Sequence, residues 1–522
     1  MKKSFFLFAM IFSAFFVKPV FSSDFEVAFM PGLDFHLNDG FDNGFSGLFS
    51  LDFYPFTLRT RDKIGFSLQT EFTDIKAKTL DDTILNSFDL ACTYLFRFHD
   101  RFALGGQLYG GFWKFPRVDE KQTEGQSGLL FGARVFGDYY FRPELKFGVS
   151  AGFSDFYYKP DSFAKKIDLA LSVKYSFSRG VFAKNHVEID EYEIEPIFPV
   201  FYNYYNDNPL GTMILFNDED TKITDVTISL LIPEYMTMPK KCAFFKSLEM
   251  SEYFTVDLTA FINETILESL SEHKTEGKVI LTYRALGKQI RREQTIDFTA
   301  LNRNAMDWYD DKRAAAFVSI HDGAANKISR LAKSIVLKSS PQAESQNIAF
   351  AKGIFATLKA FGLSYVRDPT SPFSSGETAA IDFLQFPYQT LLYSGGDCDD
   401  LSILNCAIFE SIGISTAFIT IPGHILMAFD AGIKPEDAAG LKTPFIIQDG
   451  IVWIPLETTL CQDNLETACK AGYNQWKKAA ESNEATLYPL KDAWKIYKAV
   501  GIPESDADIE LPSVEKVLKY LR

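Results

Sequence analysis

The first 180 residues of this 522-residue chain alternate between apolar and polar positions over many short runs. In DLALSVKYSF, from Asp168 to Phe177, apolar side chains recur at every second position. A period of two places successive side chains on opposite faces of an extended chain, so each run predicts a β-strand. Roughly eight such runs fit between Asp24 and Ser178, and eight is the smallest usual strand number of a membrane-spanning barrel.

The two faces of these predicted strands differ in chemistry. The apolar face is rich in aromatic residues, since 31 of the 51 phenylalanines lie in the first 180 residues. The opposite face carries charges of both signs, at Glu71, Asp89, Arg97, Arg134, Asp138 and Lys174. A narrow barrel can pair these charges inside while its aromatic face contacts lipid, and it must be closed because hydrocarbon cannot satisfy a free strand edge. A soluble β-sandwich, which also alternates, is the alternative.

Residues 24–180 resemble the small outer-membrane β-barrel proteins of double-membraned bacteria, including a last strand that ends in an aromatic residue, Phe177. The resemblance implies a barrel that contacts outer-membrane lipid. A barrel of this size has an interior filled by side chains, so we expect an anchor more than a pore. An even strand number returns the chain to the side on which it started, which places everything after the barrel in the periplasm.

The N-terminal segment 1–23 has the layout of a secretory signal peptide. Two lysines precede an apolar stretch from Phe5 to Val17, and the small residues Ser22 and Ser23 follow as cleavage points. The net charge of −15, with no basic stretch, argues against a nucleic-acid partner. Six cysteines without a CxxC pair, scattered histidines and the lack of a Gly-rich phosphate loop predict neither metal nor cofactor.

Composition divides the rest of the chain into further segments. An acidic linker is predicted for residues 181–196, and strand-like runs over 197–301 predict an immunoglobulin-like β-sandwich. Helical periodicity follows over 302–365 as a lead-in to an α+β core at 366–460, and a helical segment over 461–522 ends the chain. We therefore expect a multidomain protein.

One cysteine lies at a predicted helix start. In YSGGDCDDLSIL, Cys398 follows a Gly-rich turn and precedes apolar residues at helical spacing. The unpaired N–H groups of a helix N-terminus favour a thiolate and lower the pKa of a cysteine. Asp399 and Asp400 oppose a second negative charge there, so a cationic partner is needed.

A histidine and a carboxylate follow in chain order. His424 begins a strand-like run in ITIPGHILMAFD, and PFIIQDGIVWIPLETT reads as a hairpin with Asp449–Gly450 as its turn. Glu457 stands at the end of the second strand of that hairpin. A thiol nucleophile needs a base, and the base needs an orienting acid, so these residues suit nucleophilic catalysis.

The motifs GGDCDDLSILNCAIFESIGI, PGHILMAF and VWIPLETT together resemble the transglutaminase-like cysteine fold, a relative of the papain-type architecture. The resemblance implies that Cys398 is the nucleophile, His424 the general base and Glu457 the acid that orients the imidazole. Glu457 departs from the aspartate that is usual in the family. Gln385 is either a side-chain donor to an oxyanion or an ordinary loop glutamine.

The leading hypothesis is an exported, outer-membrane-anchored cysteine enzyme that acts on amide bonds of a protein or peptide, with cell-wall peptides as one candidate. It is either a hydrolase or an acyl transferase. One alternative is a catalytically inactive transglutaminase-like binding module, and another gives the barrel itself a role in adhesion or transport. Cys461 and Cys469 either form a disulfide or remain free thiols in a helical segment.

Overall fold

A computed structural model describes residues 20–39, 41–59, 62–77, 83–114, 126–158, 161–177, 187–219, 221–339, 341, 343–367 and 380–521. Most of the predicted signal peptide, residues 1–19, lies outside this description. The first strand begins at Val20, within the segment predicted as the end of the signal peptide.

The N-terminal region is a closed barrel of eight antiparallel strands. The strands are β1 (Val20–His36), β2 (Gly44–Arg59), β3 (Asp62–Ala77), β4 (Thr83–His99), β5 (Phe102–Lys114), β6 (Ser127–Tyr140), β7 (Leu145–Tyr158) and β8 (Asp161–Phe177). Each pairs with the next along the chain, and β1 pairs with β8, which closes the ring. A short strand, Phe41–Asp42, also pairs with β3. The predicted eight-stranded barrel is confirmed.

The barrel presents apolar side chains outward and charged ones inward. Phe66, Leu108 and Leu171 on its outer face are 51%, 69% and 66% exposed, a surface that suits lipid. The six charged residues expected inside are all buried (Glu71, Asp89, Arg97, Arg134, Asp138 and Lys174). Several are paired: Lys174 Nζ lies 2.9 Å from Asp138 Oδ2, and Arg134 Nε lies 3.5 Å from Asp168 Oδ2. The expectation of a paired interior network is therefore correct.

Apolar layers fill the barrel above and below this charged zone. One consists of Ile75, Leu85, Trp113, Leu130, Phe156 and Ala164, at the end opposite the barrel's termini. The other consists of Tyr54, Leu95, Ala103, Phe136 and Tyr140, at the end where the termini lie. A cavity between them, lined in part by Arg134 and Lys174, measures about 10 Å³, which is room for a single water molecule. The described interior is thus packed with side chains.

The next region is a sandwich of two antiparallel sheets. Its strands are β9 (Val187–Ile194), β10 (Gly211–Asn217), β11 (Ile223–Leu231), β12 (Lys240–Leu248), β13 (Tyr253–Leu258), β14 (His273–Ala285) and β15 (Lys288–Ala300). The sheets have the orders β9-β10-β13 and β12-β11-β14-β15. Ile228 from one sheet and Val256 from the other lie in one buried core.

The acidic linker expected over 181–196 needs a correction, because residues 187–194 form strand β9. Val187 is buried and its strand pairs with β10, whereas Glu188 and Asp190 point away from the core. The acids lie on the solvent face of an edge strand, where charge does not oppose sheet formation.

The β14–β15 hairpin of the sandwich contacts the barrel. Its turn, Leu286–Gly287, has φ values of 48° and 88°, the left-handed pair that a two-residue hairpin requires. Leu286 packs against the apolar layer that contains Tyr54 and Phe136, and the Lys288 ammonium forms an ion pair with Glu144. The sandwich therefore rests on the barrel end where the barrel's termini lie.

The C-terminal region combines helices with a five-stranded antiparallel sheet. The elements are α1 (Gly323–Ser339), α2 (Gln346–Phe361), α3 (Pro387–Tyr393), α4 (Cys398–Ser411), β16 (Thr416–Ile421), β17 (His424–Asp430), β18 (Ile446–Gln448), β19 (Ile451–Leu456), α5 (Leu465–Glu481), β20 (Thr486–Pro489), α6 (Leu490–Ala493) and α7 (Val514–Leu521). The sheet has the order β18-β19-β17-β16-β20, and α4 packs on β17.

The segment 461–522, expected to be helical, contributes strand β20 to this sheet, so the core extends beyond residue 460. Strand β20 pairs with β16, so its strand conformation depends on a tertiary contact and not on its own sequence pattern. Among the described residues, no α-helix is both long enough and apolar enough to cross a membrane.

Candidate active site

Cys398 is the first residue of α4, and Asp397 is the N-cap of that helix. The Asp400 carboxylate accepts hydrogen bonds from the Asp397 N–H (3.3 Å) and from the Gln385 N–H (2.7 Å). The first bond satisfies a donor that the start of α4 leaves unpaired, and the second holds the loop before α3 against the first turn of α4. The thiol is half-buried at this junction.

His424 and Glu457 are brought together by the central strands of the sheet. A tight turn at Pro422–Gly423, with Gly423 at φ 67°, reverses the chain so that His424 begins β17. Strand β19 pairs with β17 and ends one residue before Glu457. His424 Nε2 lies 2.7 Å from Glu457 Oε2. The histidine and acid predicted from the sequence are therefore hydrogen-bonded.

The Glu457 carboxylate is almost completely buried, with 1% of the residue exposed. Burial raises the pKa of such a carboxyl, but the hydrogen bonds from His424 and Thr459 outweigh it and hold the pKa of Glu457 below its usual value. Glu457 is thus an anion beside the imidazole, which is the state that orients a histidine and stabilises its protonated form.

The thiol of Cys398 is packed against β17. The backbone N–H groups of Ile425 and Asp399 point toward it and favour the thiolate, but burial and the nearby carboxyls of Asp399 and Asp397 raise the pKa of Cys398 well above its usual value. The Cys398 Sγ atom and one carboxylate oxygen from each of Asp397 and Asp399 all lie within 4.8 Å of one another. The N-terminus of α4 alone therefore does not stabilise a Cys398 thiolate. This agrees with the expectation that the neighbouring acids oppose a second negative charge.

No hydrogen bond joins Cys398 Sγ to His424 among the residues that the structure describes. The Nε2 atom of His424 faces Glu457, so Nδ1 is the ring nitrogen left for the thiol proton. Catalytic hydrogen bonds are often long before substrate binds, so the arrangement is compatible with a thiol that gives up its proton only on attack.

The pKa values of the acids beside Cys398 are also raised. Burial, with the neighbouring Asp397 second, raises the pKa of Asp400 to about 7. Burial and a hydrogen bond to Asp397 raise the pKa of Asp399 well above its usual value. Protons held by these carboxyls at neutral pH lessen the negative charge that Cys398 experiences.

Gln385 lies at the edge of this site. Its backbone is tied to Asp400, two residues after the thiol, and its side-chain Oε1 is buried without a hydrogen-bond partner in the described part of the chain. The structure thus brings Gln385 to the start of α4. Its role as an oxyanion donor stays a prediction.

Three further residues shape the site and were not identified from the sequence. Thr459 donates two hydrogen bonds to Glu457, and Gly472 of α5 lies against the Glu457 backbone. Tyr365 pairs in register with Gly396, two residues before the nucleophile. The repeated threonine in PLETT is the only sequence signal for any of these contacts.

The other cysteines of the C-terminal region lie in the core. Cys406 is buried within α4, and Cys461 and Cys469 are buried free thiols. Cys461 Sγ lies 3.3 Å from the carbonyl oxygen of Leu363, and Cys469 lies within helix α5. Of the two alternatives for this pair, the structure has the helix with free thiols.

No protein-family model matches the chain, and no curated protein matches it. Solved structures with a similar fold include Ail, the attachment invasion locus protein of Yersinia pestis, with 17% identity and a TM-score of 0.23, covering 30% of this chain and 99% of that one. Neisserial surface protein A has 14% identity and a TM-score of 0.23, covering 30% and 97%. The N-terminal β-barrel domain of Pseudomonas aeruginosa OprF has 13% identity and a TM-score of 0.20, covering 29% and 97%. At these identities the similarity concerns the fold alone.

Proposed function

We propose that this protein is an outer-membrane-anchored cysteine enzyme whose C-terminal region lies in the periplasm and cleaves or transfers acyl groups of amide bonds. The observation that carries this proposal is the 2.7 Å hydrogen bond between His424 Nε2 and the buried Glu457 carboxylate, beside the helix start that bears Cys398. Its substrate is a protein or peptide, with cell-wall peptides as natural candidates in that compartment.

The chemistry requires two half-reactions. Cys398 Sγ attacks the amide carbonyl carbon while its proton passes to His424 Nδ1, giving a tetrahedral oxyanion. The C–N bond then breaks as His424 returns the proton to the departing amine, which leaves a thioester. Water or an amine, deprotonated by His424, attacks the thioester and releases the acid or a new amide together with the thiol. Glu457 stabilises the imidazolium that exists between these proton transfers.

Two donors are available to the oxyanion. The N–H of Cys398 lies in the first turn of α4, where backbone donors have no partner within the helix. The side chain of Gln385 supplies the second donor in this proposal, because the Asp400 hydrogen bond fixes its backbone next to that turn.

The connections of the barrel support the orientation of the anchor. At the end where the barrel's termini lie, the strands are joined by residues 60–61, 100–101 and 141–144. At the other end they are joined by residues 37–43, 78–82, 115–126 and 159–160. Outer-membrane barrels have short turns on the periplasmic side and longer loops outside, so these lengths support a periplasmic location for the sandwich and the C-terminal region.

The catalytic proposal is tested by alkylation of full-length protein in detergent with iodoacetamide at pH 7, with the Cys398 peptide quantified by mass spectrometry. We expect wild-type Cys398 to react at least tenfold faster than Cys398 in the His424→Ala variant, because the imidazole accepts the thiol proton. A His321→Ala variant, which changes a histidine in the loop before α1, is the matched control and should react like wild type. Equal rates for wild type and His424→Ala would overturn the proposal.

A second candidate is a binding module that retains the fold without catalysis. The raised pKa of Cys398 and the lack of a thiol–imidazole hydrogen bond in the described residues favour it. This candidate predicts slow alkylation that is unaffected by His424→Ala. The same experiment therefore separates it from the enzyme.

The anchor is tested separately. We expect the exported protein to be extracted from membranes only by detergent, and to migrate faster on mildly denaturing gels before boiling than after it, because a closed barrel stays folded. A soluble full-length chain in the periplasmic extract would contradict the anchor without bearing on Cys398.

A further inference from the structure

We propose that Thr459 is the positioning residue that makes a glutamate effective as the third member of the Cys398–His424–Glu457 site, an inference that rests on the proposed function. The two carboxylate oxygens of Glu457 have separate partners. Oε2 faces His424 Nε2 at 2.7 Å, and Oε1 accepts both the Thr459 N–H at 3.0 Å and the Thr459 Oγ1–H at 2.6 Å.

The reason lies in the extra methylene of glutamate. An aspartate at this position would have one fewer side-chain torsion to fix. A glutamate can swing its carboxylate, and each rotatable bond left free lowers the fraction of time that Oε2 faces the imidazole. Two donors on Oε1 remove that freedom, because rotation of the carboxylate away from His424 would also break both bonds to Thr459.

The backbone beneath this carboxylate is already fixed by other contacts. Glu457 is the N-cap of the short 3₁₀ helix Thr458–Leu460, and its N–H donates to the Ala468 carbonyl at 3.2 Å. Thr458 Oγ1 lies 3.0 Å from Ser402 Oγ of α4. The side-chain torsions of Glu457 are thus the freedom that remains, and the Thr459 hydroxyl acts on them.

The two hydrogen bonds that Thr459 donates to Glu457, one from its N–H and one from its hydroxyl, have different origins. The N–H contact is part of the cap and would form with any residue other than proline at position 459. The hydroxyl contact needs serine or threonine. This difference allows the positioning role to be tested without disturbing the turn, since Thr459→Val keeps the shape and the N–H but removes the hydroxyl, and Thr459→Ser keeps the hydroxyl.

The experiment follows two readouts in full-length protein in detergent. The first is the NMR signal of the His424 Nε2 atom after selective ¹⁵N-histidine labelling, with the signal assigned by its loss in His424→Ala. The second is the pH profile of Cys398 alkylation by iodoacetamide. We expect Thr459→Val to shift the His424 Nε2 signal, because its hydrogen bond to Glu457 is less well held, and to slow alkylation at pH 7 about tenfold. Thr459→Ser should restore both toward wild type.

A double-mutant cycle with Glu457→Asp completes the test. Because an aspartate carboxylate attached at the same Cα is too short to reach both partners, we expect Thr459→Val to change alkylation less than twofold in the Glu457→Asp background. Additive losses would overturn the proposal, as would a wild-type pH profile of alkylation and a wild-type His424 Nε2 signal for Thr459→Val. Equal losses in the Val and Ser variants would also overturn it, because the hydroxyl would then not matter.

The outcome for Thr459 is distinguishable from that of the catalytic proposal. If Cys398 is unreactive in wild type but Thr459→Val still shifts the His424 Nε2 signal, Thr459 positions the pair and the enzyme proposal is wrong. Thermal unfolding of each variant, followed by tryptophan fluorescence, verifies that the altered signals come from folded protein.

Discussion

Thr458 Oγ1 lies 3.0 Å from Ser402 Oγ, so the residue after the candidate catalytic acid is hydrogen-bonded to the helix that carries the candidate nucleophile, one turn beyond Cys398. Both side chains are buried. This contact joins the two halves of the site, since α4 brings the thiol and the β19 end brings the acid.

Ser402→Ala should therefore loosen the site. The substitution leaves the buried Thr458 hydroxyl without its side-chain partner, which typically costs about 1–3 kcal/mol. We expect the free energy of unfolding in urea to fall by about that amount and Cys398 alkylation to slow. Ser334→Ala, on the exposed face of α1, is the control, because its hydroxyl donates to the Leu331 carbonyl of its own helix. A Ser402→Ala variant as stable and as reactive as wild type would show that the contact has no role.

Gly472→Ala should displace Glu457. A Cβ at this position of α5 would lie 3.0 Å from the Glu457 nitrogen and 3.1 Å from Leu426 Cδ1, so the helix or the end of β19 has to shift. Overpacking of this kind costs about 1–3 kcal/mol. Gly440→Ala is the matched control, because its Cβ would meet nothing within 4 Å. We expect slower Cys398 alkylation and a lower midpoint of urea unfolding for Gly472→Ala alone. Equal behaviour of the two variants would contradict the close approach.

Stability of the C-terminal region should fall as the pH rises from about 4 to about 7. Burial, then Asp397, raises the pKa of Asp400 to about 7, and burial raises the pKa of Asp322 to about 6. In this window the folded state holds protons that the unfolded state has released, so the free energy of unfolding decreases with pH. Over this window, the decrease from Asp400 alone, whose pKa rises from 3.8 to about 7, is on the order of 3 kcal/mol.

Urea unfolding at pH 5 and pH 7.5, followed by tryptophan fluorescence, measures this change, because four of the five tryptophans lie after residue 301. Asp400→Asn should reduce the difference between the two pH values, since its side chain does not titrate. A difference that is unchanged in Asp400→Asn, or stability that rises with pH, would show that the Asp400 carboxyl is ionised in the folded protein throughout.

Carbodiimide treatment should join the sandwich to the barrel covalently. The Lys288 ammonium and the Glu144 carboxylate form an ion pair, and a zero-length reagent converts such a pair into an amide. We expect the Lys288–Glu144 cross-linked peptide in mass spectra of the full-length protein. Lys288→Arg keeps the charge but forms no such amide, so it is the control. Leu286→Asp should reduce the yield by opposing burial against Tyr54, and an undiminished yield would rule out a role for that contact.

The barrel was predictable because its signal is local and repeated. Each run such as Asp168–Phe177 alternates over its own length, and the charges of Arg134 and Lys174 fall on one face without reference to other strands. Strand β20 was not predictable in this way. Thr486–Pro489 is too short to show a period, and it is a strand because the edge of β16 offers backbone partners. Strand β9 was predicted as a linker because its many acidic residues obscure a weak alternation of apolar and polar positions.

The candidate site likewise combines residues that local sequence motifs predict with properties that depend on the tertiary fold. Cys398, His424 and Glu457 are found from motif order, and the hairpin that presents Glu457 is found from its Asp449–Gly450 turn. The state of the thiol could not be read from the motif, because it depends on how deeply folding buries Cys398 among carboxyls. Thr459 likewise depends on a side-chain torsion that no spacing encodes.

The two apolar layers inside the barrel, one around Trp113 and one around Tyr140, also limit how the protein meets its surroundings. With both layers in place, the described interior of the barrel leaves no channel wide enough for a peptide. In the proposed orientation, a substrate of Cys398 therefore approaches it from the periplasm and not through the barrel.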